Sequence, residues 1–279
     1  MRRFHHVRSA QRSGVSVNDK YVSNNGAENP AVATNTPYIE LASIYDNIMD
    51  HVDYASWAQY IDKLIWQFYS SSADILDVAC GTGSLGRELY PLGHRLTGCD
   101  ISPPMLAVAA TKWKSARIPT LLFASNMTAL GVQKQFDVVL CLYDSINYCV
   151  EAERFHAAVA EAARVTRPGG IYIFDICTVK NSTMYFSQST MDDRCADMTY
   201  RRICRFDPVT RIQENHFYLT RAAKTHIERH YQKIYFIDEI KAMIDDRYWD
   251  MCACYDDLSF NEGSEESERV HFVLRRKQN

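Results

Sequence analysis

The run Asp74-Ile75-Leu76-Asp77-Val78-Ala79-Cys80-Gly81-Thr82-Gly83-Ser84-Leu85-Gly86 leads a short apolar strand into a glycine-rich turn and the start of a helix. Gly81, Gly83 and Gly86 satisfy GxGxxG, a spacing that permits a tight turn, close approach of backbone to ligand, and close helix–strand packing. Asp100 ends the next apolar run, where a carboxylate can accept from ribose hydroxyls. Taken alone, the glycines fit dinucleotide binding, as in an NAD dehydrogenase. Asp77 points elsewhere. A carboxylate late in the strand, four residues before Gly81, suits a ligand with an ammonium group better than a pyrophosphate.

Working outward, short apolar runs alternate with helical stretches, the signature of βαβ units and a mainly parallel sheet. Strands are expected at 74–80, 95–100, 120–124, 136–142 and 170–176, with helices at 85–92, 103–115 and 152–166. Ser102 can cap the second of these helices, with Pro103 at its first turn. Arg167-Pro168-Gly169-Gly170 stops the third and allows the reversal into a strand. Upstream, residues 39–52 and 53–69 repeat apolar side chains at helical spacing: Leu41, Ile44 and Ile48, then Trp57, Ile61, Leu64, Ile65 and Phe68. Residues 1–37 lack such periodicity and read as a disordered tail. Their Arg-rich start shares composition with organelle transit peptides but shows no amphipathic helix, and no secretory h-region is present.

Bulk properties narrow the class. The chain has 279 residues, 31 Lys and Arg against 34 Asp and Glu, and a formal net charge of −3. That balance argues against a protein that coats nucleic acid through bulk charge. No apolar run is long enough to span a membrane as a helix. The nine cysteines include no CxxC pair and lie largely in apolar runs, so they read as buried thiols in a reducing, cytoplasmic setting.

Four motifs in order, LDVACGTG, GCDISPPML, FDVVLCLYDSINY and RPGGIYIFDI, resemble the class I S-adenosylmethionine-dependent methyltransferases over residues 38–277. The resemblance implies an α/β, Rossmann-like, seven-stranded, mainly parallel sheet with flanking helices, and S-adenosylmethionine over the carboxyl ends of the first strands. Carried over, Asp77 and the Gly81–Gly83 turn face the methionine part, Cys80 belongs to the cofactor-binding set, Asp100 binds the ribose, and Ile101 and Met105 pack on the adenine. Leu142 and Tyr45 join that cofactor set, the Tyr45-Asp46 pair resembling one near the methionine end in small-molecule relatives. Where many relatives place Asp at the end of the third strand, this chain has Asn126 followed by Met127. An amide oxygen can still accept from the adenine amino group; alternatively Asn126 only makes a turn.

Methyl transfer is an in-line displacement, so the protein mainly aligns a nucleophile and excludes water, and a hydroxyl acceptor needs a base. Residues 143–148, Tyr-Asp-Ser-Ile-Asn-Tyr, follow the fourth strand, and Asp144, Asn147 and Tyr148 can orient an acceptor. Residues 177–232 are not required by the core fold and alternate like antiparallel strands. Relatives with such an insertion use it as a lid over the acceptor, so the resemblance implies an inserted β lid between core segments 38–176 and 233–279. There, Thr225-His-Ile-Glu-Arg-His-Tyr-Gln sends His226, Glu228, His230 and Gln232 to one strand face. His226 and His230 are the candidate bases; zinc lacks a third ligand and no metal site is assigned. The resulting expectation is methylation of nitrogen or oxygen on a small-molecule acceptor, with an anionic acceptor left open. From Arg194 to Lys233 there are nine Lys or Arg and four Asp or Glu, which keeps an RNA or protein methyltransferase as the alternative. A non-catalytic cofactor-binding scaffold is the second alternative. Nothing in the sequence separates a monomer from a homodimer.

Overall fold

The computed structural model describes residues 32–34 and 37–278. In chain order, strand β1 (Val32–Thr34) precedes helices α1 (Tyr45–Ile48) and α2 (Tyr54–Phe68). Then β2 (Asp74–Val78), α3 (Ser84–Leu89), β3 (Arg95–Asp100), α4 (Pro103–Ser115) and β4 (Leu122–Ala124) alternate. They are followed by β5 (Phe136–Cys141), α5 (Ala152–Val165) and β6 (Thr166–Cys177). Helix α6 (Val179–Phe186) leads into four successive strands, β7 (Gln188–Cys195), β8 (Met198–Asp207), β9 (Ile212–Arg221) and β10 (Lys224–Lys233). Helix α7 (Ile237–Met243) and strands β11 (Trp249–Asp256) and β12 (Arg269–Arg276) complete the set.

The seven-stranded sheet runs β11-β12-β6-β5-β2-β3-β4, and only β12 is antiparallel to its neighbours. Strand order reverses between β2 and β5, so their carboxyl ends flank the crevice where open α/β sheets bind ligands. Both strands are buried along their whole length because helices cover both faces. Trp57, Ile61, Leu64 and Ile65 of α2 close one face; Phe155, Val159 and Ala162 of α5 close the other. Fully burying each such large side chain contributes about 1.5–3 kcal/mol. Ser102 caps α4 by accepting from the Met105 amide, and Gly169 turns at φ +80°, as the local sequence leads one to expect.

The second sheet runs β1-β10-β9-β8-β7, antiparallel except for the β1–β10 pair. It contains the three strands expected from alternation, and adds β7 and helix α6, which the sequence reading lacked. Strand β1 lies within the stretch expected to be a tail; the rest of that stretch, apart from Pro37, is outside the described residues.

Residues 39–52 depart most from expectation. Instead of a long helix they form a 3-10 turn at Leu41–Ser43 and the single turn α1. Their apolar side chains serve the second sheet, with Leu41 and Ile44 packing against Met198, Tyr200, Phe217 and Leu219. All nine cysteines are free thiols.

Candidate active site

The glycine turn has left-handed backbone at Ala79, Gly81 and Gly83, with φ of +59°, +55° and +71°. Its glycines have different causes. A Cβ on Gly83 would lie 2.6 Å from Trp113 Nε1, while Trp113 Nε1 donates to the Gly83 carbonyl at 2.9 Å. Helix packing therefore demands that glycine. A Cβ on Gly81 would meet nothing within 4 Å, so this part of the turn borders open space.

Asp77 is buried at the end of β2 and has no hydrogen-bond donor among the described residues. Burial, with the charge of Asp100, pushes its carboxyl up to about 7. An approaching ammonium would restore its ionisation. Asp100 is differently placed. Burial raises its pKa, but Gly81 N–H donates to Oδ2 at 2.9 Å and Ser102 N–H to Oδ1 at 2.8 Å, which fixes the carboxylate. An unmet carboxylate beside an open glycine turn fits the methionine end of S-adenosylmethionine.

The remaining expected cofactor residues divide in two. Ile101 is 50% exposed and Met105 buried, so only the former presents a free apolar face. Cys80 is half-buried, its sulfur close behind Gly98, and Leu142 is buried in the core. Asn126 Oδ1 accepts from both the amide and hydroxyl of Thr128 at 3.0 Å, so its oxygen closes a turn. Met127 Sδ lies 3.6 Å from Cys149 Sγ. Tyr45 packs edge-on against Tyr38, and its neighbour Asp46 ties α1 to the turn through Thr82 Oγ1 at 2.6 Å and Lys112 at 2.8 Å.

At the end of β5, Tyr143 and Asp144 both adopt positive φ. Asp144 was read as an acceptor-orienting residue, but the structure engages both of its oxygens. Arg269 Nη2 donates to Oδ1 at 2.8 Å and Gln232 Nε2 to Oδ2 at 2.6 Å. Arg269 also pairs with buried Asp175, and its guanidinium lies over the rings of Trp57 and Tyr143. Asn147 is likewise occupied, donating to the Lys233 carbonyl and accepting from the Cys177 amide.

Tyr148 and His230 do meet. Tyr148 Oη lies 2.9 Å from His230 Nδ1 and 2.6 Å from Tyr38 Oη. His230 Nε2 lies 3.4 Å from Glu228 Oε2. A neutral imidazole satisfies this chain in one sense: Nε2–H donates to Glu228, and Nδ1 accepts from Tyr148, whose oxygen accepts from Tyr38. Burial lowers the His230 pKa, partly offset by the Glu228 bond and charge. Burial alone would raise the Glu228 carboxyl, yet the bonds from His230 and from the Leu41 and Glu40 amides hold it below the usual glutamate range. Glu228 also accepts from the Tyr38 and Ile39 amides at 2.7 and 3.0 Å. The phenols of Tyr38 and Tyr148 are raised by burial and stay protonated. His226 does not join them; it lies 3.9 Å from Glu40 with a fifth of its side chain exposed.

Tyr38, Glu228, Arg269 and Asp175 were not singled out as site residues. Only Glu228 carried a signal, by sharing the alternating polar face of His230. Among the described residues no cluster of three or more His, Cys, Asp or Glu could hold a metal, and no helix is long and apolar enough to cross a membrane.

Comparison with known proteins finds methyltransferases. A family model described as "Methyltransferase domain" matches residues 75–170. YqeM of Bacillus subtilis (strain 168), which carries a provisional methyltransferase name, is 29% identical over 86% of this chain and 97% of its own. A dTDP-3-amino-3,6-dideoxy-alpha-D-glucopyranose N,N-dimethyltransferase of Streptomyces fradiae is 28% identical over 49% of this chain and 52% of its own. In fold, an S-adenosylmethionine-dependent methyltransferase from Clostridium acetobutylicum ATCC 824 superposes with a TM-score of 0.72 at 23% identity, covering 85% of this chain and 98% of that one.

Proposed function

We propose that the chain is a class I S-adenosylmethionine-dependent methyltransferase that methylates a nitrogen or oxygen of a small-molecule acceptor enclosed between sheet and lid. The lid in this reading is the insertion 177–232, on a core of 38–176 and 233–279. The observation that carries the proposal is the unpartnered Asp77 beside the open side of the Gly81 turn.

S-adenosylmethionine supplies, when bound, an electrophilic sulfonium methyl. Asp77 ionises against its ammonium, Gly81 lets the backbone approach, and Asp100 takes the ribose hydroxyls. Ile101 would cover the adenine and Tyr45 would close the methionine end, with Met105, Met127, Leu142 and Cys80 completing the cofactor set. Asn126 contributes shape through its turn rather than a free acceptor. On the acceptor side, Tyr148 receives a proton as its own moves to His230 Nδ1, and the Glu228 carboxylate stabilises the resulting imidazolium. Asp144 is a positioning residue, holding Gln232 of the lid to Arg269 of the core.

The acceptor class rests on the amino-sugar dimethyltransferase relatives, and the free thiols favour a reducing, cytoplasmic compartment. The macromolecular alternative rested on the basic lid. Much of that charge is engaged locally, with Arg201 on Asp192, Arg211 on Glu239 and Arg221 on Asp197.

Calorimetry with S-adenosylhomocysteine and with NAD tests the cofactor: heat with the former only is expected, and heat with NAD only overturns the reading. Against a panel of amino sugars and alcohols, His230→Gln should lower kcat about a hundredfold at unchanged S-adenosylhomocysteine affinity. Equal turnover removes His230 from the chemistry.

A further inference from the structure

Arg202 is a partly buried cation of the lid with no part in the proposed chemistry. On β8 it shares its face with Met198, Tyr200, Cys204 and Phe206, all buried. Strand register continues that face through Asn215 and Phe217 of β9 to Glu228 and His230 of β10. Arg202 therefore points inward, with the relay, rather than outward with Arg201 and Arg205.

Its surroundings fix it without neutralising it. The guanidinium lies 5.1 Å from the ring centroid of Phe186 and 5.5 Å from that of Phe217, whose ring is itself 5.2 Å from His230. Nε and Nη2 donate to the same oxygen, Asn215 Oδ1, at 3.1 and 2.8 Å. Nη1 has no partner, and no carboxylate pairs with Arg202 among the described residues. A partly buried guanidinium held by aromatic faces and a neutral amide carries an uncompensated charge, with N–H donors directed away from its anchor. That arrangement suits charge-assisted recognition of an oxyanion.

We propose that Arg202 binds an oxyanion of the acceptor, so that the substrate carries a carboxylate or phosphate roughly 10 Å, two strand spacings, from His230. The proposal rests on the reading that the acceptor lies beneath the lid, and it narrows that reading to anionic small molecules.

Inorganic pyrophosphate and acetate, titrated separately by calorimetry with and without saturating S-adenosylhomocysteine, test it. Binding of either probe is expected, and the tighter one identifies the oxyanion. Arg202→Gln should weaken that binding at least tenfold and Arg202→Lys less, while Arg205→Gln on the outer face of the same strand leaves it unchanged. Equal binding by Arg202→Gln, or no binding of either probe to the wild type, overturns the assignment. S-adenosylhomocysteine affinity in each variant reports folding. Its absence in the wild type would sink the cofactor reading, while the probe titrations without it still judge Arg202.

Discussion

Asp77 and Glu228 are both buried carboxylates near the candidate site, and they are opposites. Glu228 receives four backbone amides of residues 38–41 and lies beside His230, so it stays ionised and clamps the N-terminal segment to the lid. Asp77 receives no donor from the described residues and drifts up to about 7. A satisfied buried carboxylate holds a protein together; an unsatisfied one costs stability until a ligand arrives. The contrast separates a carboxylate that joins distant parts of the fold from one left without a donor at the carboxyl end of β2.

The largest expected effect comes from unmaking the satisfied partner. Glu228→Gln faces amide hydrogens against amide hydrogens and should lose about 3 kcal/mol, read from urea unfolding at pH 7. Because Glu228 titrates below its ordinary 4.5, its contribution is full above that pH and disappears as pH falls through the lowered value. The mutant and wild type should thus converge in acid; a pH-independent gap would show that charge is not the cause.

Next come the glycines. Gly83→Ala should lose about 2 kcal/mol, since it combines left-handed backbone with a clash on Trp113. Gly81→Ala should cost only about 1 kcal/mol in stability but still impair S-adenosylhomocysteine binding, because its space is open. Equal losses in both assays for both variants would erase the distinction between a packing glycine and a ligand glycine.

Asp77→Asn should leave the unliganded fold as stable or more so, and weaken S-adenosylhomocysteine about tenfold, near 1.4 kcal/mol. The raised folded pKa means that wild-type stability from this group declines as pH climbs from about 4 towards 7 and is flat beyond. Ligand affinity should rise over the upper part of that window. Chemical unfolding and calorimetry across pH 4–8 read both slopes, and a wild type and Asp77→Asn with the same profiles would refute the role. The smallest effect belongs to His226→Ala, expected within 0.5 kcal/mol and without loss of turnover, as a partly exposed side chain away from Tyr148.

The βαβ alternation and glycine turn were legible because they depend on near neighbours in the chain. Hydrophobic period and the Ser102 cap are set within a few residues. The same holds for the alternation that put Glu228, His230 and Gln232 on one face of β10. Residues 39–52 were misread for the converse reason. Their helical spacing is real, but three of their amides, those of Ile39, Glu40 and Leu41, end on a glutamate 187 to 189 residues away.

By itself, then, the sequence determined the doubly wound sheet, the place of the glycine turn and the strand that carries His230. Tertiary structure alone decided which polar groups are already satisfied. Asp144 and Asn147 are occupied by Arg269, Gln232, Lys233 and Cys177, whereas Asp77 and one edge of Arg202 are not. The physical reason is that a hydrogen-bond partner need not be near in sequence. Whether a buried charge serves the fold or remains available to a ligand depends on what long-range packing brings beside it.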